Sequence, residues 1–416
     1  MQAADKTLAQ ARDVAPVSMG QALPCVLGGL TIMRCFSLAG IPYIAVSATG
    51  DPRDRATFAA RLCHRGFVTA DPKLDPRKTM DDLIAIGKTL SHPAPLYYSN
   101  DQTLRLVSEN RDELRKYYRF QMPDHETIAD TLDKSRFIDF CRRFGIQSPE
   151  SFSSTEVADK VAQGYDWPLP MIFKPTSHVH WFTSQLIRDL GGLNHKGLIC
   201  YTKAQFDHAL ERLTKEGIPF LLQQFIPGGD ENIHSFHAFF DEDSQPLGYF
   251  AGKKLRTFPP GTGESTFLEL VHNEELCRIG TDIMQRTKFS GPVKMDFKRN
   301  PLDGKYYLLE INARSNLWQY MGAKSGLNLP VISYNYFTGN RSREVQTHHR
   351  TSVRWMHARY DVRAFFAYRR SGELTLWQYL RSLMHPKIYS KFSWRDPLPS
   401  LYAVWIFFSS RLPFGS

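Results

Sequence analysis

A chain of 416 residues, 42% hydrophobic and 23% charged, can build two or three domains with full cores and has the balance of an ordinary folded protein. Its six cysteines (Cys25, Cys35, Cys63, Cys141, Cys200, Cys277) lie far apart without a CxxC pair, which argues against a disulfide framework or a zinc site and for a reducing, cytoplasmic setting. The net charge of +10 does not describe the body of the protein: after residue 340 there are 13 Lys and Arg against 4 Asp and Glu, so the tail carries +9 of it, and no nucleic-acid partner is expected.

Residues 1–20 read as a loose leader without the apolar core of a signal peptide. Residues 21–120 form the first expected domain. Leu23 to Leu27 is a short apolar strand, Gly28-Gly29 a turn, Leu30 to Ala39 a helix with Leu30, Met33, Phe36, Ser37 and Leu38 inward, and Ile41 to Ser47 a second strand. Strand, glycine turn, helix and strand in that order predict a parallel sheet. The glycines could seat a phosphate at a helix N-terminus or make a tight turn; without a full GxGxxG both stay open. Phe67 to Ala70 and Pro95 to Tyr98 read as further strands, and 80–90 and 102–117 as helices.

A second region, 121–340, opens near Gln121-Met-Pro123. Asp133 to Phe144 is an amphipathic helix stopped by Gly145. Apolar runs at Pro170 to Pro175 and Phe220 to Gly228 flank a helix near Lys203 to Glu216. Strands follow at His234 to Phe240 and Leu247 to Lys254. A hairpin at 293–312 turns at Asp303-Gly304 and closes the region.

That hairpin carries the chemistry. One apolar strand delivers Asp296, and its partner delivers Glu310 and Asn312, followed by Arg314. Strict alternation along Leu309 to Arg314 puts Glu310, Asn312 and Arg314 on one face and Leu309 and Ile311 on the other. Hard oxygen ligands at low count suit Mg²⁺, which keeps waters and shares itself with substrate phosphates. Lys174 ends an apolar strand and is locked by Pro175, and Lys134 starts the preceding helix; cations at such places suit nucleotide phosphates. The Pro-Gly break after Gln223-Gln224-Phe225-Ile226 leaves backbone groups free to meet an adenine edge. Asp230 and Glu231 could hold ribose hydroxyls or form an acidic turn.

In combination and in order, Asp133-Lys134, Phe173-Lys174-Pro175, Gln223 to Gly228, Met295-Asp296-Phe297 and Leu309 to Arg314 resemble the ATP-grasp superfamily of carboxylate–amine ligases, nearest to its D-aspartate ligase-like and carbamoyl-phosphate-synthase-like branches. The resemblance implies an α/β protein: a Rossmann-like domain ahead of a two-lobe ATP-grasp domain with α+β lobes. It implies ATP and Mg²⁺, or Mn²⁺ in its place, and small carboxylate and amine substrates. Lys134 and Lys174 would contact ATP phosphates. Gln223, Gln224 and Ile226 would line the adenine site with Ile172 and Leu309 as apolar walls, and Asp230 or Glu231 would meet the ribose. Asp296, Glu310 and Asn312 would hold the metal. Arg314, and either Lys254 or Arg256, would stabilise the transferring phosphoryl group. One segment departs from the family: where a glycine-rich loop is usual, this chain has Thr176 to Ser184, in which Ser177, His178 and His180 would cover the phosphates.

From 341 to 416 the composition becomes basic and aromatic, with Arg interleaved among Trp355, Trp377, Trp394 and Trp405. Three readings stay open: helices packed on the core, contact with an anionic membrane surface, or a clamp on single-stranded nucleic acid. The longest apolar run, Leu401 to Phe408, is far short of the ~20 residues that span a bilayer. Oligomeric state is not legible.

Overall fold

The computed structural model describes residues 8–9, 22–48, 54–176, 197–261, 263–342 and 344–409. Six strands make the first sheet: β1 (Leu8–Ala9), β2 (Cys25–Leu27), β3 (Tyr43–Ala48), β4 (Cys63–Thr69), β5 (Ala94–Tyr98) and β6 (Tyr118–Arg119), in the order β1-β4-β3-β2-β5-β6. All neighbours are parallel except β1, which pairs antiparallel with β4 at one edge. The expected parallel sheet is present, and part of the expected leader is one of its strands.

Between β2 and β3 runs α1 (Leu30–Leu38), which buries Ile32, Met33, Cys35 and Phe36 and also Arg34, while Leu30 and Leu38 stay half-buried. The glycine turn before it needs left-handed backbone at Gly28 (φ 63°) and Gly29 (φ 77°), and a Cβ on Gly29 would meet Ser99 Oγ at 3.0 Å. The tight-turn reading is therefore sufficient. Next comes α2 (Pro76–Lys88), capped by Asp75. The single helix expected over 102–117 is two, α3 (Asp101–Glu109) and α4 (Arg111–Leu114), broken at Asn110.

Two helices lead out of this domain, α5 (His125–Leu132) and α6 (Lys134–Arg143), the latter capped by Asp133. A small lobe follows: β7 (Ser151–Ser153), β8 (Met171–Pro175), β9 (Leu198–Cys200) and β10 (Phe220–Gln224), ordered β7-β10-β8-β9, with α7 (Ser154–Ala162) and α8 (Lys203–Lys215). Phe173, Phe206 and Trp167 pack as tilted rings at its centre.

The large sheet holds β11 (Ile233–Phe240), β12 (Pro246–Phe258), β13 (Glu264–Val271), β14 (Gly291–Arg299), β15 (Tyr306–Asn312), β16 (Arg354–Met356) and β17 (Lys387–Tyr389), ordered β15-β14-β11-β12-β13-β16-β17. Around it lie α9 (Glu274–Arg286), α10 (Gln319–Lys324), α11 (Leu329–Phe337), α12 (Ala358–Arg370), α13 (Leu376–Ser382) and α14 (Leu398–Ser409). One apolar cluster runs from Leu27 and Tyr98 of the first domain to Phe236, Met295 and Leu308 of the large sheet, so the two pack as one core.

The boundary expected at 340 does not separate the tail from the body. β16 pairs with β13 and β17 with β16, and Trp355 is buried against the large sheet. The tail also reaches the first domain: Arg34, 2% exposed, donates to the Lys391 carbonyl at 3.1 Å and lies 3.8 Å from Asp396. Among the described residues no helix is long and apolar enough to cross a membrane.

Candidate active site

Asp296 and Glu310 are cross-strand partners in the β14–β15 hairpin, and Lys294 faces Asn312 one step along. Val293, Met295 and Phe297 of β14 point into the core, so Lys294, Asp296 and Lys298 share the other face. A register shift after Asp296 pairs Phe297 with Leu308 and leaves Leu309 out of the ladder. The alternation expected on β15 is broken there: Leu308 and Ile311 are buried, while Leu309 is half-buried. A bulge of this kind re-aims one side chain without moving its neighbours.

Asp296 is 3% exposed and well supplied with donors. Ser235 of β11 donates to one carboxylate oxygen; Lys294 Nζ lies 2.7 Å and Lys254 Nζ 3.5 Å from the other. Burial pushes this carboxyl up, but Lys294 and Lys254, with the hydrogen bonds from Lys294 and Ser235, outweigh it and hold the group far below the usual carboxylate range. Burial likewise opposes the Lys254 charge, and Asp296, Glu310 and Asp230 outweigh that in turn, so its ammonium sits above its ordinary value. Glu310, 55% exposed, accepts from Asn312 Nδ2 at 3.1 Å and lies 3.8 Å from Lys294. Arg314 donates to Asn312 Oδ1 at 2.9 Å and to Asp101 at the start of α3.

The expected metal ligands therefore come together. Among the described residues no three His, Cys, Asp or Glu cluster as a metal cage. Two carboxylates and an amide oxygen fit an oxygen-seeking ion that takes its other ligands from phosphate and water.

At the end of β8, Lys174 Nζ donates to Gln223 Oε1, and Lys134 Nζ donates to the Pro175 carbonyl at 2.6 Å. The two lysines thus meet at one strand end. Ile226 is buried, Ile172 is 6% exposed on β8, and the Gln224 amide donates to the Glu150 carbonyl at 2.7 Å. Ser177, His178 and His180 lie outside the described residues.

Two expectations are corrected. Arg256 does not reach the carboxylates. It forms a buried two-pronged pair with Asp361 of α12, Nε–Oδ1 2.8 Å and Nη2–Oδ2 2.8 Å, with its guanidinium 4.2 Å from the Phe267 ring centre. Of the two candidates on β12, Lys254 alone joins the site. Asp230 is not free for a ribose: it is 4% exposed, and it accepts from Thr257 Oγ1, from the Gly261 amide at 3.1 Å and from the Tyr368 hydroxyl of α12. Glu231 is the exposed member of that pair. Both corrections end on α12.

Three residues of this region carry no role in the sequence reading. Lys294 and Lys298 follow from the same alternation that finds Asp296. Lys298 Nζ donates to the Gly228 carbonyl at 2.5 Å, and burial pulls its ammonium below its ordinary value against the opposing charges of Asp230 and Glu231. His237, paired with Lys294 across β11–β14, stacks on Phe250 at 4.7 Å; burial pushes it well below the usual histidine range.

A parallel-sheet domain, a small antiparallel lobe and a large sheet with acidic residues at one hairpin make an arrangement that solved structures share. An L-amino acid ligase from Bacillus licheniformis superposes with a TM-score of 0.54 at 13% identity, covering 76% of this chain and 73% of that one. An N5-carboxyaminoimidazole synthetase from Staphylococcus aureus, complexed with ADP, gives 0.55 at 13% identity, covering 78% and 79%. Residues 252–359 match the family described as ATP-grasp in the biosynthetic pathway with Ter operon. A D-aspartate ligase of Enterococcus faecium (strain Aus0004) is 25% identical over 236 residues, 55% of each chain. The chain thus spans about half the length of the curated relative it matches. The resemblance drawn from the motifs stands.

Proposed function

We propose that the protein is an ATP- and Mg²⁺-dependent ligase that activates a small carboxylate as an acyl phosphate and transfers the acyl group to an amine, releasing ADP and phosphate. The observation that carries this is the cross-strand pair Asp296–Glu310, with Asn312, Arg314 and two lysines on the same sheet face. A ligase among the sequence relatives and another among the structural ones support it, and a structural relative in complex with ADP supports the nucleotide.

Lys134 and Lys174 hold the phosphates, Gln223, Gln224 and Ile226 the adenine, with Ile172 and Leu309 as its walls, and Glu231 the ribose. Asp296, Glu310 and Asn312 hold Mg²⁺, or Mn²⁺ in its place; bound there, the ion neutralises charge across the terminal phosphates. The substrate carboxylate attacks the γ-phosphorus in line, the bond to the bridging oxygen breaks, and ADP leaves. Lys254 and Arg314 offset charge on the phosphoryl oxygens. The amine nitrogen then attacks the acyl carbon, phosphate leaves, and the ammonium protons pass to solvent. With hydroxylamine as the amine, a pool of carboxylates should give a hydroxamate and ADP. Formation of AMP and pyrophosphate, or ATP binding with no hydroxamate from any carboxylate, would count against the ligase reading.

A second reading concerns location. The outer faces of α12 and α13 expose Val362, Phe366, Leu376, Trp377 (74% exposed) and Leu380, and Met384 (81% exposed) follows just past the end of α13. Around them stand five exposed arginines, 359, 363, 369, 370 and 381, with Glu373 the one exposed carboxylate between 358 and 384. Leu and Met beside Trp suit a hydrocarbon surface, whereas nucleic acid offers aliphatic side chains little, so the enzyme is a cytoplasmic one that rests on an anionic bilayer. Flotation on phosphatidylglycerol vesicles but not on phosphatidylcholine, weakened by salt and lost in Trp377→Glu, is expected. Flotation on neither, or binding to single-stranded nucleic acid alone, overturns it.

A further inference from the structure

Four charges meet at the hairpin: the carboxylates of Asp296 and Glu310 and the ammoniums of Lys254 and Lys294. They balance. Three of them sit on side chains no more than 14% exposed, where an unbalanced charge is costly. Lys294 is the one that touches both carboxylates, at 2.7 Å from Asp296 and 3.8 Å from Glu310. It shares the β14 face with Asp296 two residues on, and so stands among the groups assigned to the divalent ion. An ion entering alone would add two positive charges beside two ammoniums. An ion entering with nucleotide brings phosphates to receive a displaced ammonium.

Taking the nucleotide-dependent reading above as its basis, we propose that Lys294 is the counter-ion of the metal carboxylates in the nucleotide-free protein and passes to the nucleotide phosphates when the divalent ion arrives, so that metal and nucleotide enter together. Lys254 differs in place, not in charge. It comes from β12, 3.5 Å from Asp296, and stays as the fixed cation. Ser235 and Lys254 still hold Asp296 when Lys294 is removed, so the hairpin has what it needs to fold.

The test uses the full chain and no turnover. Mn²⁺ binding to nucleotide-free protein is followed by electron paramagnetic resonance, and ADP binding in excess EDTA by calorimetry, for wild type and Lys294→Met. Removing the ammonium should tighten Mn²⁺ by about tenfold and weaken metal-free ADP by a similar factor, as expected for a unit charge in a poorly solvated site. The opposite signs are the signature, since damage to the site would weaken both. Lys294→Arg should keep both affinities near wild type. If Lys294→Met melts early, Lys294→Gln takes its place. Mn²⁺ affinity unchanged or weaker in a folded variant overturns the proposal. The crossed shifts in a protein that makes no hydroxamate would overturn the ligase reading and leave this one standing. No Mn²⁺ and no ADP binding by any form would overturn both.

Discussion

Asp296 and Asp361 are both buried aspartates beside cations, and they do different work. Asp361 is fully buried and saturated: Arg256 grips both oxygens, Thr266 donates to one, and the flat guanidinium lies on Phe267. Nothing there is free to exchange. Asp296 is nearly as buried, but its cations are two lysine ammoniums on flexible stems at 2.7 and 3.5 Å, and its strand partner Glu310 is open to solvent. A planar, two-pronged pair makes a joint, whereas point charges on long stems make a site whose occupants can change.

The largest effect should come from breaking the joint. Asp361→Ala leaves the buried Arg256 with a hydrogen bond to Ser382 Oγ but no carboxylate to balance its charge, and the expected loss is about 3–5 kcal/mol in chemical denaturation. A loss below about 1 kcal/mol would mean the pair is not the anchor of α12. Glu310→Gln, at the exchangeable site, should do the reverse: turnover falls by about 10²-fold while the melting temperature hardly moves. Wild-type turnover in that variant removes Glu310 from the site. Between the two regions stands Tyr368, whose hydroxyl meets Asp230 in the loop after Gln224. Tyr368→Phe should raise KM for ATP several-fold with kcat little changed, the size of one lost hydrogen bond to a charged group. An equal fall in kcat would place Tyr368 in the chemistry instead.

The smallest effect is a pH slope. Burial, with Lys253 and Arg299 nearby, lowers His234 from 6.5 to about 4. The folded protein keeps this ring neutral where the unfolded chain would protonate it. Stability is therefore full above about pH 6.5 and declines as pH falls toward 4. His234→Gln should melt less steeply with acid over that window, and identical slopes would show that the ring is solvated.

The contrast between the two aspartates also explains what the sequence could disclose. The β14–β15 hairpin was legible because alternation and a Gly turn are local signals, and they placed Asp296, Glu310, Asn312 and Arg314 together. The same alternation carries Lys294 and Lys298, yet a lysine in a strand looks like ordinary surface charge. Leu309 was misplaced because a bulge leaves no mark in the pattern. β13 and α9 were legible and went unread: Asn273 caps a run with Leu276, Gly280, Ile283 and Met284 at helical spacing. Arg256–Asp361 and Asp230–Tyr368 were out of reach. Their partners lie more than a hundred residues apart, and no local period predicts that Asp361 and Tyr368 of a basic tail turn inward to meet Arg256 and Asp230.

The place of β16 along β13 has one more consequence. β13 would be the rim of the large sheet if the chain stopped near 340, and Phe267, Leu268 and Glu269 would face water with unpaired amides and carbonyls. Such a rim invites a second copy to add itself strand to strand. Shortening the gene at the point where composition changes would thus be expected to turn a folding protein into a self-associating one, and a tail that looks dispensable in sequence acts as a guard against fibres.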